Sequence, residues 1–230
     1  MEVKVLATNS LHFMRFELIN EITTDLLSEK LFLDVIEDED RLIAADITET
    51  IIDGYYVTYF NSKELVFNQE MDSLETVLVR KNTVVPFSIN IEKNILDVWS
   101  SKNNTNKLVS QIGILLNHQV IIESIIINLE KIVSNLSEKN IKIGKIKIDN
   151  YPIESDIIAS CMFDLKNHSD PLSIVKKYSK NLIQLALVVV NENKDLLTMM
   201  IYKNGSVVVY KSKEEISLET LEFIRKICVG

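Results

Sequence analysis

Short runs with apolar residues at alternating positions recur along the first half of the chain, and they predict β-strands. The clearest is DGYYVTYF, where aromatic and β-branched residues follow an Asp-Gly turn signal. KLFLDVIED and RLIAADITETII also have strand character, and LETVLVRKNTVVPFSIN continues it, with Pro86 indicating an edge strand or a bulge. Residues 14–30 fit either a strand and a short helix or one helix.

Apolar residues at helical spacing predict two helices in the middle of the chain and two near its end. TNKLVSQIGILLNHQ and LEKIVSNLSEKN are the first two, and we expect Thr105 or Asn106 to cap the former. The later two are DPLSIVKKYSK and ISLETLEFIRKICV. Asp170 and Ser217 are their expected caps, and Pro171 suits a first helical position.

Asn204-Gly205 is the best short turn signal in the chain and predicts a type I′ hairpin. Its strands are apolar on both faces. One face carries Met200, Tyr202, Val208 and Tyr210. We expect Ile183, Leu185 and Leu187 of the preceding strand to extend that face, which is then too apolar for open water and needs a cover.

The segments IASC at 158–161 and YKNGSVVV at 202–209 lie in a series of strand, strand, helix, three strands and helix. This series resembles one repeat of the TATA-box-binding protein family and covers about residues 145–228. The resemblance implies an α+β fold with curved antiparallel sheets and helices packed on one face. The chain lacks a convincing second repeat and the paired Phe wedges of the family's DNA-binding saddle, so the resemblance implies no DNA-binding residues.

Composition places the chain among ordinary globular proteins, with 47 % hydrophobic and 25 % charged residues, 5 Gly and 3 Pro. No Gly/Ser-rich or Pro-rich linker interrupts it. We expect a β-rich region at 1–83, a hairpin with helices at 84–144, and the TATA-binding-protein-like α+β unit at 145–230. These three regions can form one compact body.

The net charge of −8 is concentrated in the first 144 residues, which weighs against nonspecific binding to nucleic acid. Cys161 and Cys228 do not form a disulfide framework, and we expect two buried, reduced thiols in a cytoplasmic protein. No apolar run reaches the roughly 18 residues of a membrane span, and the first residues lack a secretory pattern. No membrane partner is therefore expected.

No pattern of catalytic or cofactor-binding residues emerges, so we expect a protein that is not an enzyme and holds no cofactor. The three histidines lack metal-ligand spacing, and the five glycines form no nucleotide-binding loop. The acidic cluster Glu37, Asp38, Glu39 and Asp40 fits a solvated turn best, because consecutive carboxylates diverge. It also fits a docking site for a basic partner or, less well, a metal-binding active site.

The sequence therefore predicts a non-catalytic cytoplasmic binding protein. It would act as a homo-oligomer or as a subunit of a larger complex, through the apolar sheet face. The alternative is a nucleic-acid-binding module, with Lys145 and Lys147 beside a track along the sheet. The same lysines are also consistent with a purely protective role, in which they keep an exposed strand soluble and prevent its aggregation. An enzyme with a scattered acidic site is the third possibility.

Overall fold

The computed structural model describes residues 9–20, 22–32, 40–69, 71–135, 141–190, 196–211 and 215–229. In these residues the chain forms eleven strands and five α-helices. The strands are β1 (Asn9–Leu18), β2 (Arg41–Ile47), β3 (Ile51–Asn68), β4 (Ser73–Asn90), β5 (Ile95–Trp99), β6 (Val120–Ser124), β7 (Ile141–Glu154), β8 (Ile157–Asp164), β9 (Leu182–Val190), β10 (Leu196–Tyr202) and β11 (Ser206–Val209). The helices are α1 (Thr24–Leu31), α2 (Lys102–Leu115), α3 (Leu129–Asn135), α4 (Pro171–Lys177) and α5 (Leu218–Cys228).

The predicted α+β class is confirmed, and the strands form a large antiparallel sheet that does not close on itself. The likeness of residues 145–228 to the TATA-box-binding protein family stays a prediction. The chain divides into two compact units, each built from separate stretches of sequence. Unit 1 takes the described residues of 1–15, 99–101 and 123–230, and unit 2 those of 16–98 and 102–122.

Unit 1 contains the strand order β11-β10-β9-β7-β8, and the first half of β1 pairs with β11. One face of these strands forms the core, because Leu185, Leu187, Met199 and Ile201 are all fully buried. Helix α3 contacts β9 and helix α4 contacts β7. Asp170 and Ser217 cap α4 and α5 as predicted, each accepting a hydrogen bond from a first-turn N–H.

The hairpin predicted at Asn204-Gly205 is present between β10 and β11, but its turn differs from type I′. Only Gly205 has a positive φ, of 90°, and its N–H donates to the Tyr202 carbonyl over 3.2 Å. The loop therefore has three residues, with the last in a left-handed conformation. A Cβ atom at this position would also lie 2.4 Å from the Ile125 carbonyl oxygen. The positive φ and the lack of space therefore both require glycine.

Unit 2 contains the strand order β2-β3-β4-β5, and the second half of β1 adds to it where Phe16 N–H donates to the Asn94 carbonyl. Its main feature is the β3–β4 hairpin. The two strands have 18 residues each and pair without a register shift from Ile51↔Asn90 to Asn68↔Ser73. Helix α1 contacts β3, and α2 contacts β4.

Several local predictions are decided in unit 2. Residues 14–30 form the end of strand β1 followed by helix α1, the first of the two alternatives. Helix α2 begins at Lys102, so Thr105 and Asn106 lie inside it and do not cap it; Thr105 is buried among the core residues. Residues 33–38 of KLFLDVIED lie outside the described residues, and its first two residues, Lys30 and Leu31, belong to helix α1. No helix of the described ranges is long and apolar enough to cross a bilayer.

Pro86 lies within an unbroken ladder, opposite Tyr55, and makes no bulge. Strand β5 pairs with β4 from Phe87 onward, so Pro86 is the first residue past the end of that pairing. Its position is that of an edge residue, where the missing N–H leaves no strand partner unsatisfied.

Candidate functional site

Unit 1 has a second, open sheet face opposite its core. Met200 lies directly across from Ala186 on β9 and from Val208 on β11, and Ala186 is across from Lys145 on β7. A parallel row joins Lys147, Gln184 and Tyr202. The open face thus contains the six residues that the sequence predicts for binding in this region, each half-buried: Lys145, Lys147, Met200, Tyr202, Val208 and Tyr210.

Two side chains of the open face donate hydrogen bonds to the Met200 thioether. Gln184 Nε2 donates a hydrogen bond to Met200 Sδ over 2.7 Å, and the Tyr202 hydroxyl donates to the same sulfur over 3.0 Å. Partial burial, and then the nearby Tyr210, raise the pKa of Tyr202. These two hydrogen bonds link Gln184 of β9 with Met200 and Tyr202 of β10.

The expected extension of this face by Ile183, Leu185 and Leu187 is wrong. Because Ala186 is the residue that pairs with Met200, the even-numbered residues of β9 point to the open face. Leu185 and Leu187 pair with Ile201 and Met199 and lie in the core. Gln184 and Ala186 occupy their place, and both are buried at the centre of this face, which is more polar than the sequence suggested.

Lys145 is not an isolated charge on this face. Its Nζ lies 3.8 Å from Asp164 Oδ2, on the neighbouring strand β8. The side chains of Lys145 and Asp164 are 40 % and 57 % exposed, so water screens this ion pair and it contributes little to stability. It does offset part of the positive charge that a phosphate backbone would meet.

A second surface lies at the far end of the β3–β4 hairpin in unit 2. We call residues 59–82 the arm. Strand β2 pairs with β3 only up to Val57, and β5 pairs with β4 only from Phe87. Within the described residues, the outer edges of the arm therefore have no strand partner.

The arm exposes large apolar side chains on both of its strands and at its turn. They are Phe60, Leu65, Val66, Phe67, Met71, Leu74 and Leu78, with Leu65 the most exposed at 71 %. Most of them share one side of the ribbon, which we call the exposed face. The exposed face contains Tyr59, Lys63, Leu65, Phe67, Leu74, Leu78, Arg80 and Asn82, by the pairing of Tyr59 with Asn82 and of Phe67 with Leu74.

Polar side chains of the two strands of the arm pair with one another. On the side away from the exposed face, Lys81 forms an ion pair with Glu64, and Asn68 Nδ2 donates to Glu75 Oε1 over 3.0 Å. On the exposed face, the Arg80 guanidinium lies 4.8 Å from the centre of the Tyr59 ring. An open depression of about 450 Å³ at the base of the arm is lined by Tyr59, Arg80, Lys81 and Asn82.

Of the acidic cluster, Glu37, Asp38 and Glu39 lie outside the described residues. Asp40 attaches to the edge of β3: its Oδ1 accepts from the Tyr59 N–H and its Oδ2 from the Tyr56 hydroxyl, each over 3.0 Å. Burial, followed by the hydrogen bond and the charge of Asp40, raises the pKa of Tyr56 to about 12. Asp40 is thus engaged in a structural contact.

Metal-ligating chemistry is sparse in the part of the chain that the structure describes. No three or more His, Cys, Asp or Glu side chains there come together in a way that could hold a metal ion. Cys228 is buried as expected, whereas Cys161 is only half-buried, and neither is in a disulfide.

No protein-family model matches this chain, and no curated protein matches it. The class of this protein therefore follows from its fold and surfaces. It is an α+β protein with an open sheet face in unit 1 and an apolar arm in unit 2.

The arm was missed at the sequence level, although a signal for it exists. DGYYVTYFNSKELVF and LETVLVRKNTVVPFS are two long strand-like runs of similar length on either side of a polar turn. Strands of globular proteins rarely exceed about ten residues. A hairpin with two strands this long therefore predicts a ribbon that extends beyond its neighbouring strands.

Proposed function

We propose that this chain is a non-catalytic cytoplasmic protein that acts by binding protein through its arm, as a homo-oligomer or as a subunit of a larger complex. The observation that supports this most is the exposure of seven large apolar side chains on one ribbon. Four of them, Leu65, Phe67, Leu74 and Leu78, share the exposed face, and an exposed apolar patch of this kind marks a site of protein–protein interaction.

Backbone chemistry supports the same proposal. A two-stranded ribbon is only marginally stable in water when no further strand or helix covers it. Unpaired edges with apolar side chains also lead to aggregation unless something covers them. A protein partner that covers the arm satisfies both requirements.

The non-catalytic part of the proposal rests on how the best catalytic candidate is used. Asp40, the described member of the acidic cluster, accepts hydrogen bonds from Tyr56 and Tyr59. The engagement of this carboxylate with two groups of β3 supports a structural role for it.

The test compares the full-length chain with a Leu65→Ser/Leu74→Ser variant. Tagged protein is purified from its native cells, and the mass of each assembly is measured by sedimentation velocity. We expect the wild type in a stoichiometric protein assembly and the variant as a single chain. The matched control is Ile114→Ser/Ile126→Ser, which changes two exposed isoleucines outside the arm and should keep the assembly.

Two results would overturn the proposal. One is recovery of the wild type only as a single chain at every concentration, and the other is survival of the assembly in the arm variant. Circular dichroism melting of each variant shows whether the fold is retained.

A second candidate function is binding of single-stranded nucleic acid to the open face of unit 1. It is favoured by one observation, that Lys145 and Lys147 share a face with Tyr202 and Tyr210. Aromatic rings that stack on bases beside positive charge are the usual elements of such platforms. Binding measured by fluorescence anisotropy should then fall with salt and in a Lys145→Glu/Lys147→Glu variant. Absence of binding at low salt would exclude this candidate.

A further inference from the structure

We propose that the arm binds a second copy of this chain, and that the outer edges of the two β4 strands pair antiparallel about a two-fold axis at Leu78. This inference rests on the proposed function and names its partner. Two-fold dimers are the commonest assemblies of identical chains, and they require a surface that is complementary to itself. The outer edge of β4 is such a surface.

The direction of the backbone groups on β4 follows from the hydrogen bond between Tyr59 and Asp40. That bond shows that the Tyr59 N–H points away from β4. Asn82, its partner across the ladder, therefore points its own N–H and C=O away from β3. Because the direction alternates along a strand, the even-numbered residues 74 to 82 present their backbone groups at the outer edge.

With a two-fold axis at Leu78, these outward backbone groups form hydrogen bonds with those of the second copy. Leu78 then pairs with Leu78 of the second copy through two backbone hydrogen bonds. Thr76 pairs with Arg80 of the second copy in the same way. The odd-numbered residues fall at the positions without hydrogen bonds, where the side chains of an antiparallel pair are closest.

The side chains match in this register. Glu75 lies opposite Lys81 of the second copy, and Val77 lies opposite Val79. Each copy contributes both charges, so the dimer contains two such ion pairs and no opposed like charges. Lys81 already binds Glu64 of its own chain and would lie between two carboxylates.

On the exposed face, Leu78 lies opposite Leu78 of the second copy, so two exposed leucines meet at the axis. Leu74, which is 67 % exposed, lies opposite Asn82 of the second copy. Asn82 lines the open depression together with Tyr59 and Arg80. The register therefore places an exposed leucine against the depression at the base of the other arm.

The outer edge of β3 offers no equivalent. Its charged residues, Lys63 and Glu64, lie on opposite sides of the ribbon. A two-fold axis perpendicular to the ribbon pairs only residues on the same side, so these two charges cannot meet. The Tyr59 N–H on that edge is already bound by Asp40.

The experiment uses charge reversal in the full-length chain, with sedimentation velocity as the readout. Glu75→Lys alone opposes two lysines at each site, and Lys81→Glu alone opposes two glutamates. Each variant should raise the dimer dissociation constant on the order of tenfold. A 1:1 mixture of the two variants restores opposite charges at both sites, so it should form a heterodimer with near wild-type affinity.

Lys63→Glu is the matched control, since it makes the same charge change on the other strand and should leave the dimer intact. The inference is overturned if the wild type is a single chain, if neither reversal weakens the dimer, or if the mixture fails to restore it. An assembly that contains a different protein in place of a second copy would overturn this inference and still support the proposed function. A single chain under all conditions would overturn both.

Discussion

Glu75 and Lys81 lie on the same side of β4, with Val77 and Val79 between them. When a Glu and a Lys lie an even number of positions apart on one strand, each can pair with the opposite charge of a second copy in an antiparallel dimer. Lys63 and Glu64 on β3, at adjacent positions, cannot. This difference between the two edges of one ribbon makes the assembly of the arm testable.

Proline at Thr76 tests whether the outer edge of β4 carries the interface. The Thr76 N–H points away from β3, as the N–H of a non-proline residue at position 86 would, so Thr76→Pro should leave the β3–β4 ladder intact. We expect it to weaken self-association, measured by sedimentation equilibrium, and to change the melting temperature little. Val77→Pro removes an N–H that points towards β3 and should destabilise the arm itself. Equal self-association of Thr76→Pro and wild type would contradict this account of the edge.

Gly205→Ala should destabilise unit 1. The residue has a φ of 90°, and an added Cβ would lie 2.4 Å from the Ile125 carbonyl oxygen and 3.2 Å from that of Phe13. Backbone strain of this kind costs about 1–3 kcal/mol of unfolding free energy, measurable by urea denaturation.

Gly113→Ala is the matched control for Gly205→Ala. Gly113 lies in helix α2, where an added Cβ meets only His118 Nδ1 at an ordinary 3.6 Å. This substitution should stabilise the chain by about 0.5–1 kcal/mol. Equal effects of the two substitutions would contradict the role given to Gly205.

Asp40→Asn should lower the pKa of Tyr56 from about 12 towards its ordinary value of 10.0, because the charge of Asp40 contributes to the shift. Burial, the largest cause, remains, so the pKa should stay above 10. The measurement is a tyrosinate absorbance titration, with Tyr56→Phe subtracted to isolate this residue. An unchanged titration midpoint would show that Asp40 does not act on Tyr56.

The same shift predicts how stability depends on pH. The folded chain holds the Tyr56 proton more tightly than the unfolded chain, so this contribution is complete below pH 10 and is lost as the pH rises towards 12. Tyr56→Phe should remove this dependence. Stability that falls equally with pH in both proteins would contradict the assignment.

Sequence patterns predicted the local elements of unit 1 well, because their signals are local. Asp170 and Ser217 mark helix starts through their own hydrogen bonds. Residue Gly205 marks the hairpin. The turn type was missed because two- and three-residue loops share the same Asn-Gly signal.

The sequence did not determine the register in which the strands pair. A strand such as LIQLALVVV is apolar on both sides, so its pattern does not show which side faces the helices. Only pairing with β10 places Leu185 in the core and Gln184 on the open face. The arm was missed for a similar reason. Its strand character is visible in the local sequence, but its lack of neighbouring strands depends on the tertiary fold.

The most direct test of the arm as an interface is amide hydrogen exchange of the full-length chain, resolved by residue and followed with protein concentration. We predict that the even-numbered amides from Leu74 to Asn82 become protected as the concentration rises. The outward amides of β3, at Asn61, Lys63 and Leu65, should stay in fast exchange. Fast exchange of the even-numbered β4 amides at every concentration would contradict the central claim that this edge binds a second copy.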